Sequence, residues 1–169
     1  MCRWYITDKN EMKKMIIIAV ACMTALTMQA QQFVDLGLPS GTLWKNADQF
    51  GLSNHYDAVN NYDGKNGCNL PTLSQWEELI SVCQWESING GIKVTGPNGK
   101  SIILSSKGIY DCNDHAHMIN CGFYWSSSVA YDNNGEEVFY HLYFCEDELS
   151  SDMVEKPCAR MSVRLVKNK

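Results

Sequence analysis

Within ten residues the run CNDHAHMINC offers Cys112, His115, His117 and Cys121, four side chains of the types that zinc selects. Their spacing follows neither Cys-x-x-Cys nor His-x3-5-His, and two imidazoles in a polar loop are ordinarily solvated, so no metal ligand is assigned. Hard oxygen ligands of the calcium type occur in two further places, Asp132, Asn133, Asn134, Glu136 and Glu137, and then Glu146, Asp147 and Glu148. The run VAYDNNGEE (residues 129–137) and one face of the strand after it suit a different chemistry, adaptable polar contacts beside rigid aromatic anchors. The candidate ligand-binding residues are therefore Tyr131, Asp132, Asn133, Asn134, Tyr140, His141 and Tyr143. The competing reading of the same run is an ordinary solvated hairpin. Gly-x-Ser-x-Gly, phosphate-loop and His-Glu-x-x-His patterns are absent, so no catalytic residue is assigned and no cofactor is expected.

The start of the chain bears on where these residues work. From Met12 the sequence reads MKKMIIIAVACMTALTMQA: two lysines, an apolar run over residues 15–28, then Ala30 before a polar stretch. That is the layout of a secretory signal peptide. The apolar run is shorter than the roughly 20 residues that a membrane-spanning helix needs, and no later segment approaches that length. Met12 is read as the true start, residues 1–30 as the signal and residues 31–169 as one domain, destined for the periplasm, the cell surface or the exterior. Cys22, following small residues in AVAC, gives a lipoprotein alternative. Beyond residue 30 the chain carries 10 Lys and Arg against 17 Asp and Glu, about −7. That balance and the lack of a basic run argue against nucleic acid and against anionic lipid as partners.

Six cysteines lie beyond residue 30: Cys68, Cys83, Cys112, Cys121, Cys145 and Cys158. An even count in an exported chain invites disulfides, though 15 connectivities are open. Cys112 with Cys121, closing a short polar loop, is the pair to test first; buried free thiols are the alternative.

These side chains need a scaffold, and its anchor is NLPTLSQWEELISVCQW. Thr72 and Gln75 form a Thr-x-x-Gln capping box after Pro71. Leu73, Trp76, Leu79, Ile80 and Cys83 then recur at helical spacing, with Glu77, Glu78 and Ser81 toward water. The spacing predicts a helix over about residues 72–84, with Leu73, Trp76, Leu79 and Ile80 in the core. Trp76 and Trp125 have the shape to stack on a sugar, yet both are read, with Trp44, as core. FVDLGLPSGTLW predicts two short strands about a Pro39-Ser40-Gly41 turn, and residues 45–69 a long polar loop with a short helix near residues 56–60. GIKVTGPNGKSIILSS reads as a hairpin, and FYWSSS as a strand entering the core. EVFYHLYF, apolar on both faces, reads as a central strand, followed by an acidic loop. ARMSVRLVK alternates Met161, Val163 and Leu165 against Arg160, Ser162 and Arg164, a half-buried last strand that puts Val163 and Leu165 in the core. One principal helix, many strands and no β-α-β alternation give an α+β domain with a mainly antiparallel sheet and long loops.

Four pieces in this order, VDLGLPSGTLW, LPTLSQWEELISVCQW, KVTGPNGKSIIL and YWSSS…FYHLYF…SVRLVK, resemble the Fibrobacter succinogenes major paralogous domain, a family of exported bacterial proteins, over nearly all of residues 33–167. The resemblance implies a C-type-lectin-like fold with first and last strands side by side, and a distant relation to formylglycine-generating enzymes and to retroelement-diversified binding proteins. In the diversified relatives the region matching residues 129–143 bears the variable surface. The calcium and sugar motifs of lectins in the narrow sense, Glu-Pro-Asn and Trp-Asn-Asp, are missing here. The oxidase relatives imply a redox pair at Cys145 and Cys158, but their arginine-rich motif is missing, and the acidic run between these cysteines disfavours a thiolate. The expected function is thus a non-catalytic exported module presenting a loop and strand face to a protein or glycan. A structural or assembly subunit is the alternative, and an oxidase of the formylglycine-generating type the third.

Overall fold

A computed structural model describes residues 32–169; the signal segment and Cys22 lie outside the described residues. Thr72 starts the principal helix as its sequence demands. Its side chain accepts from the Gln75 N–H at 3.2 Å, and the Gln75 side chain accepts from the Thr72 N–H at 3.0 Å. The described strands and helices run in this order: β1 (Phe33–Asp35), β2 (Leu43–Lys45), α1 (His55–Tyr62), α2 (Leu73–Val82), β3 (Gln84–Ile88), β4 (Gly91–Thr95) and β5 (Ser101–Ser105). Then follow β6 (Ile109–Tyr110), β7 (Ala116–His117), β8 (Gly122–Tyr131), β9 (Glu137–Cys145), β10 (Glu148–Glu155) and β11 (Val166–Lys167). The sheets are β1-β2-β11, β10-β9-β8, β3-β4-β5 and the pair β6-β7, with every named strand pairing antiparallel. The domain is α+β with mostly antiparallel sheets.

The β10-β9-β8 sheet has core on both faces, which follows from period-two alternation of apolar side chains. Tyr124, Leu142 and Phe144 point to a cluster with Trp44, Trp76, Leu79, Val94 and Leu104. Phe123, Trp125, Phe139 and Tyr143 point to a second cluster with Ala58, Leu70, Met161, Val163 and Leu165. Burying each such large side chain contributes about 1.5–3 kcal/mol. Trp44 and Trp76 pack with ring centroids 4.7 Å apart, and the Trp125 indole N–H donates to the Ser53 carbonyl at 2.8 Å. Gly122 has no room for a Cβ, because the Phe144 ring of β9 occupies that position.

Several elements depart from the sequence reading. Leu73 and Ile80 are only half-buried, and α2 stops at Val82 so that Gln84 can open β3. Glu78, half-buried, accepts from the Ser40 N–H and hydroxyl at 2.8 and 2.6 Å, pinning the first turn to the helix. The acidic run after β9 is a strand rather than a loop. As β10 it is an edge, and charge on an edge strand keeps other strands from pairing with it. The last segment is not half-exposed: Met161, Ser162, Val163, Arg164, Leu165 and Val166 are all buried. It threads between two stretches, accepting from Lys45, Gln49 and Ser53 N–H groups at 2.9 Å while Ser162 pairs with β8. Arg164 is accordingly a buried cation. It donates to the Lys45 carbonyl at 2.6 Å and to the Ile103 carbonyl, and it meets the Asp48 carboxylate at 2.6 Å. Removing one partner of such a buried pair costs roughly 3–5 kcal/mol. Tyr124 completes the group by donating to Asp48 at 2.9 Å, and burial, with the Asp48 charge, pushes its phenol well above the usual range.

The cysteines pair differently from the expected Cys112–Cys121 loop. Cys112 bonds Cys158, and Cys121 bonds Cys145, while Cys68 and Cys83 are free. Antiparallel pairing of Gly122 with Phe144 sets Cys121 and Cys145 across from one another, which removes Cys121 from the reach of Cys112.

Candidate functional site

Two hairpins carry most of the side chains singled out above, and one local code builds both. In Tyr-Asp-Cys-Asn-Asp-His (residues 110–115), one Asp111 carboxylate oxygen accepts from the Asn113 and His115 N–H groups, each at 2.9 Å. In Tyr-Asp-Asn-Asn-Gly-Glu (residues 131–136), Asp132 accepts from the Asn134 and Glu136 N–H groups at 2.8 and 3.0 Å. The fifth residue of each run is left-handed, Asp114 at φ 70° and Gly135 at φ 78°. The registers match: Tyr110 opposes Ala116, and Tyr131 opposes Glu137. Those backbone donors hold both carboxyls below the usual aspartate range, the Asp111 group the further, helped by His117 at 3.1 Å.

The two aspartates are thus turn-formers, with the carboxylate oxygen that binds backbone committed to the fold. Of the four zinc-type residues, Cys112 and Cys121 belong to separate disulfides, and His115 and His117 both face Asp111, at 3.4 and 3.1 Å. Among the described residues no group of three or more His, Cys, Asp or Glu side chains is placed to hold a metal ion.

The remaining candidates divide. Tyr131, Asn133 and Asn134 are exposed at the second hairpin. Tyr140 is half-buried. His141 and Tyr143 are buried, His141 beside Phe123 at 5.8 Å and Tyr143 donating to Glu148 at 3.1 Å. Burial without a compensating charge pushes the His141 imidazole down to about 4. These two side chains lie on the same side of the sheet as Phe139 but are buried in the interior, and they do not reach the exposed end that carries Tyr131.

What the fold sets beside Val129 and Phe139 is α1. Asn54 caps this helix by accepting from the Asp57 N–H at 2.8 Å, and its own amide donates to the Asp57 carboxylate at 2.8 Å. An Asn-x-x-Asp box was therefore present in the sequence as a signal for the helix. The helix presents His55 and Tyr56 to the end of the β8–β9 pair. His55 stacks on Phe139 with centroids 3.5 Å apart, meets Trp125 edge-on at 5.1 Å and donates from Nε2 to the Ser126 carbonyl at 2.9 Å. Its Nδ1 is buried without a partner, and burial lowers its basicity. Over this base lies an open groove of about 380 Å³ lined by His55, Tyr56, Val59, Val129, Glu137 and Phe139. A second hollow of about 430 Å³ shares Tyr56 and Glu137 with it and continues to Lys156 and Pro157. Val129 and Tyr131, two residues apart on β8, lie on the Phe139 side of the sheet and are exposed.

The segment from Lys156 to Arg160 closes the far wall and touches both hairpins. Lys156 approaches Glu136 at 3.8 Å, Cys158 bonds Cys112, and Arg160 pairs with Asp114 while lying over the Tyr110 ring at 4.8 Å. The Pro157 carbonyl accepts from the His55 N–H at 2.9 Å. The result is a groove with an apolar floor, the exposed Tyr56 at its margin and a far wall fixed by a disulfide. It can take up an extended or ring-shaped apolar surface; it gathers no nucleophile beside a base. The redox pair required of the oxidase reading is not assembled either, since Cys145 and Cys158 are held in different disulfides. No helix of the described residues is long and apolar enough to cross a membrane. Two disulfides fit an exported protein. Comparison with protein-family models, with curated proteins and with solved structures returns no match for the chain.

Proposed function

We propose that the chain is an exported, non-catalytic binding module of the C-type-lectin-like kind, similar to the Fibrobacter succinogenes major paralogous domain, and that it presents the groove between α1 and the β8–β9 pair to a protein or glycan ligand. The observation that carries this reading is the groove itself, apolar at the base and bordered by the exposed Tyr56 and Val129, with Tyr131 across the strand pair from the lining Glu137. Exposed apolar side chains gathered at a concave site are what a recognition surface provides. The sheet β1-β2-β11, in which the first and last strands flank β2, supports the lectin-like part of the reading. A glycan array and a pull-down from envelope extracts test it, each run with the wild type and with a Val129→Ser, Tyr131→Ala variant. Binding by the wild type that the variant loses is the expected result; blank outcomes in both formats with folded protein sink the proposal.

One observation favours an assembly subunit as the second reading: the edge strand β10 carries exposed Met153 and Val154. Light scattering across a concentration series separates the two, because a subunit that pairs through β10 associates with its own kind and a monomeric binder does not.

A further inference from the structure

The charge around the groove selects among ligands, and this step rests on the groove being a binding site at all. Asp63 and Glu137 line it, and no lysine or arginine does. Asp63 spends one carboxylate oxygen on the Leu70 N–H at 2.8 Å, whereas the exposed Glu137 has no ion-pair partner among the described residues. Glu136 beside it is paired with Lys156, so the charges of this face without an ion-pair partner among the described residues are Asp63 and Glu137, of which Asp63 already accepts from backbone. Beneath the carboxylates lie the Phe139 ring, Val59 and Val129, with Tyr56 at the margin. A neutral sugar can donate hydroxyls to a carboxylate at the rim of an apolar trough, but it brings no opposite charge to it. An arginine or lysine side chain uses every part of it. Its methylene stem covers the apolar floor while its head reaches the carboxylate, and the cation is attracted to the face of Phe139 or Tyr56. Arginine fits better than lysine, since its planar fork engages a carboxylate with two hydrogen bonds and stacks on aromatic rings.

We infer that the groove accepts an arginine-bearing segment of a protein partner, with Glu137 as the charged anchor and Phe139, Val129 and Tyr56 as the apolar seat. The net acidic balance of the chain beyond residue 30 favours the encounter with such a segment.

The test is an NMR titration of the purified protein with three probes: an acetylated, amidated Gly-Arg-Leu-Gly peptide, its Gly-Glu-Leu-Gly counterpart, and a chito-oligosaccharide. Expected is a saturable shift of the Tyr56, Val129 and Glu137 amides with the arginine peptide alone, weakened as salt is raised. Glu137→Gln should lower that affinity roughly fivefold to tenfold, the range of a partly exposed charge-assisted contact. Glu86→Gln, at an exposed glutamate on β3 outside the groove, should leave it unchanged. Because Glu137 is exposed and unpaired, its variant keeps the fold, which the unchanged spectrum away from the groove verifies. Shifts at the same amides with the oligosaccharide or the glutamate peptide instead overturn the inference and leave the groove as a binding site. Equal affinity of the wild type and Glu137→Gln for the arginine peptide overturns it too. Silence with all three probes counts against both the inference and the broader proposal.

Discussion

Residues 110–116 and residues 131–137 fold into hairpins of the same register, each closed by an aspartate that accepts two backbone N–H groups. The first carries Cys112 where the second carries Asn133, and that sulfur bonds Cys158. The first carries Asp114 where the second carries Gly135, and Arg160 reaches Asp114 across the Tyr110 ring. Among the described residues the second hairpin keeps only the exposed Lys156–Glu136 ion pair at 3.8 Å, of the kind worth about 0–1 kcal/mol. Its tyrosine, Tyr131, is 66 % exposed, while Tyr110 lies partly covered by the arginine. One turn code thus serves two ends: a hairpin fastened to the C-terminal segment as a wall, and a hairpin left free to carry contact residues beside the groove.

The largest break of this contrast is covalent. Replacing Cys112 and Cys158 together by serine opens a loop of sequence separation 46, for which chain entropy gives about 4 kcal/mol of lost stability. The denaturation midpoint under non-reducing conditions should fall accordingly. Hydrogen exchange should loosen residues 110–116 and leave residues 131–137 as protected as before. Equal loosening of both hairpins would remove the distinction drawn between wall and contact loop.

Acid gives the next largest effect and reaches the hairpins last. His141 is held neutral by burial, at about 4 against 6.5 for the free group. Its contribution is complete above about pH 6.5 and is lost as pH falls toward 4, because the unfolded chain binds a proton there and the folded one does not. The loss is on the order of 3 kcal/mol at most. Stability measured between pH 7 and 4 should decline in the wild type and decline less in His141→Phe, a variant the apolar surroundings accept. Asp111 and Asp132 act below that window. Their lowered values mean stability present above about pH 4 and lost as pH falls through the folded values. Carboxyl titration followed by NMR should show Asp132 protonating first and Asp111 later, as the stronger hold on Asp111 requires.

The smallest effect sits at the left-handed position of each turn. A Cβ on Gly135 meets no atom within 4 Å, so Gly135→Ala costs only the backbone conformation, about 1 kcal/mol. Asp114→Gly relieves the same conformation in the other hairpin but gives up the contact with Arg160, and its net effect should lie near zero. Chemical denaturation of the pair measures both.

Much of the frame was legible because it is local. The Thr72–Gln75 box, the Gly96-to-Gly99 turn between β4 and β5 and the two-sided apolar pattern of β9 involve residues close in sequence or a simple period. The misreadings share a cause. Acidic residues in residues 146–155 look like loop until an edge strand is recognised as a place where charge is tolerated. The alternation of residues 160–165 looks half-exposed until a carboxylate, Asp48, is found to meet Arg164 inside the protein. Of the site, Tyr131, Asn133 and Asn134 were legible as a polar, aromatic loop. The Asp132 turn was present in the sequence twice, as Tyr-Asp-x-Asn, and its repetition at Tyr110 was the overlooked signal. His55 and Tyr56 had an Asn-x-x-Asp cap to announce their helix and nothing to announce their neighbours.

By itself the sequence determined an α+β domain with mainly antiparallel strands, the start of its principal helix and the burial of Trp44, Trp76 and Trp125. Period, caps and turn residues act over a few positions, so they are written where they work. Only the tertiary structure decided which cysteines meet, why His141 and Tyr143 are interior, and that α1 faces β8 and β9 across a groove. Those outcomes depend on partners tens of residues away, Cys158 for Cys112 and Ser126 for His55, and whether a polar side chain is buried is settled by what stands opposite it.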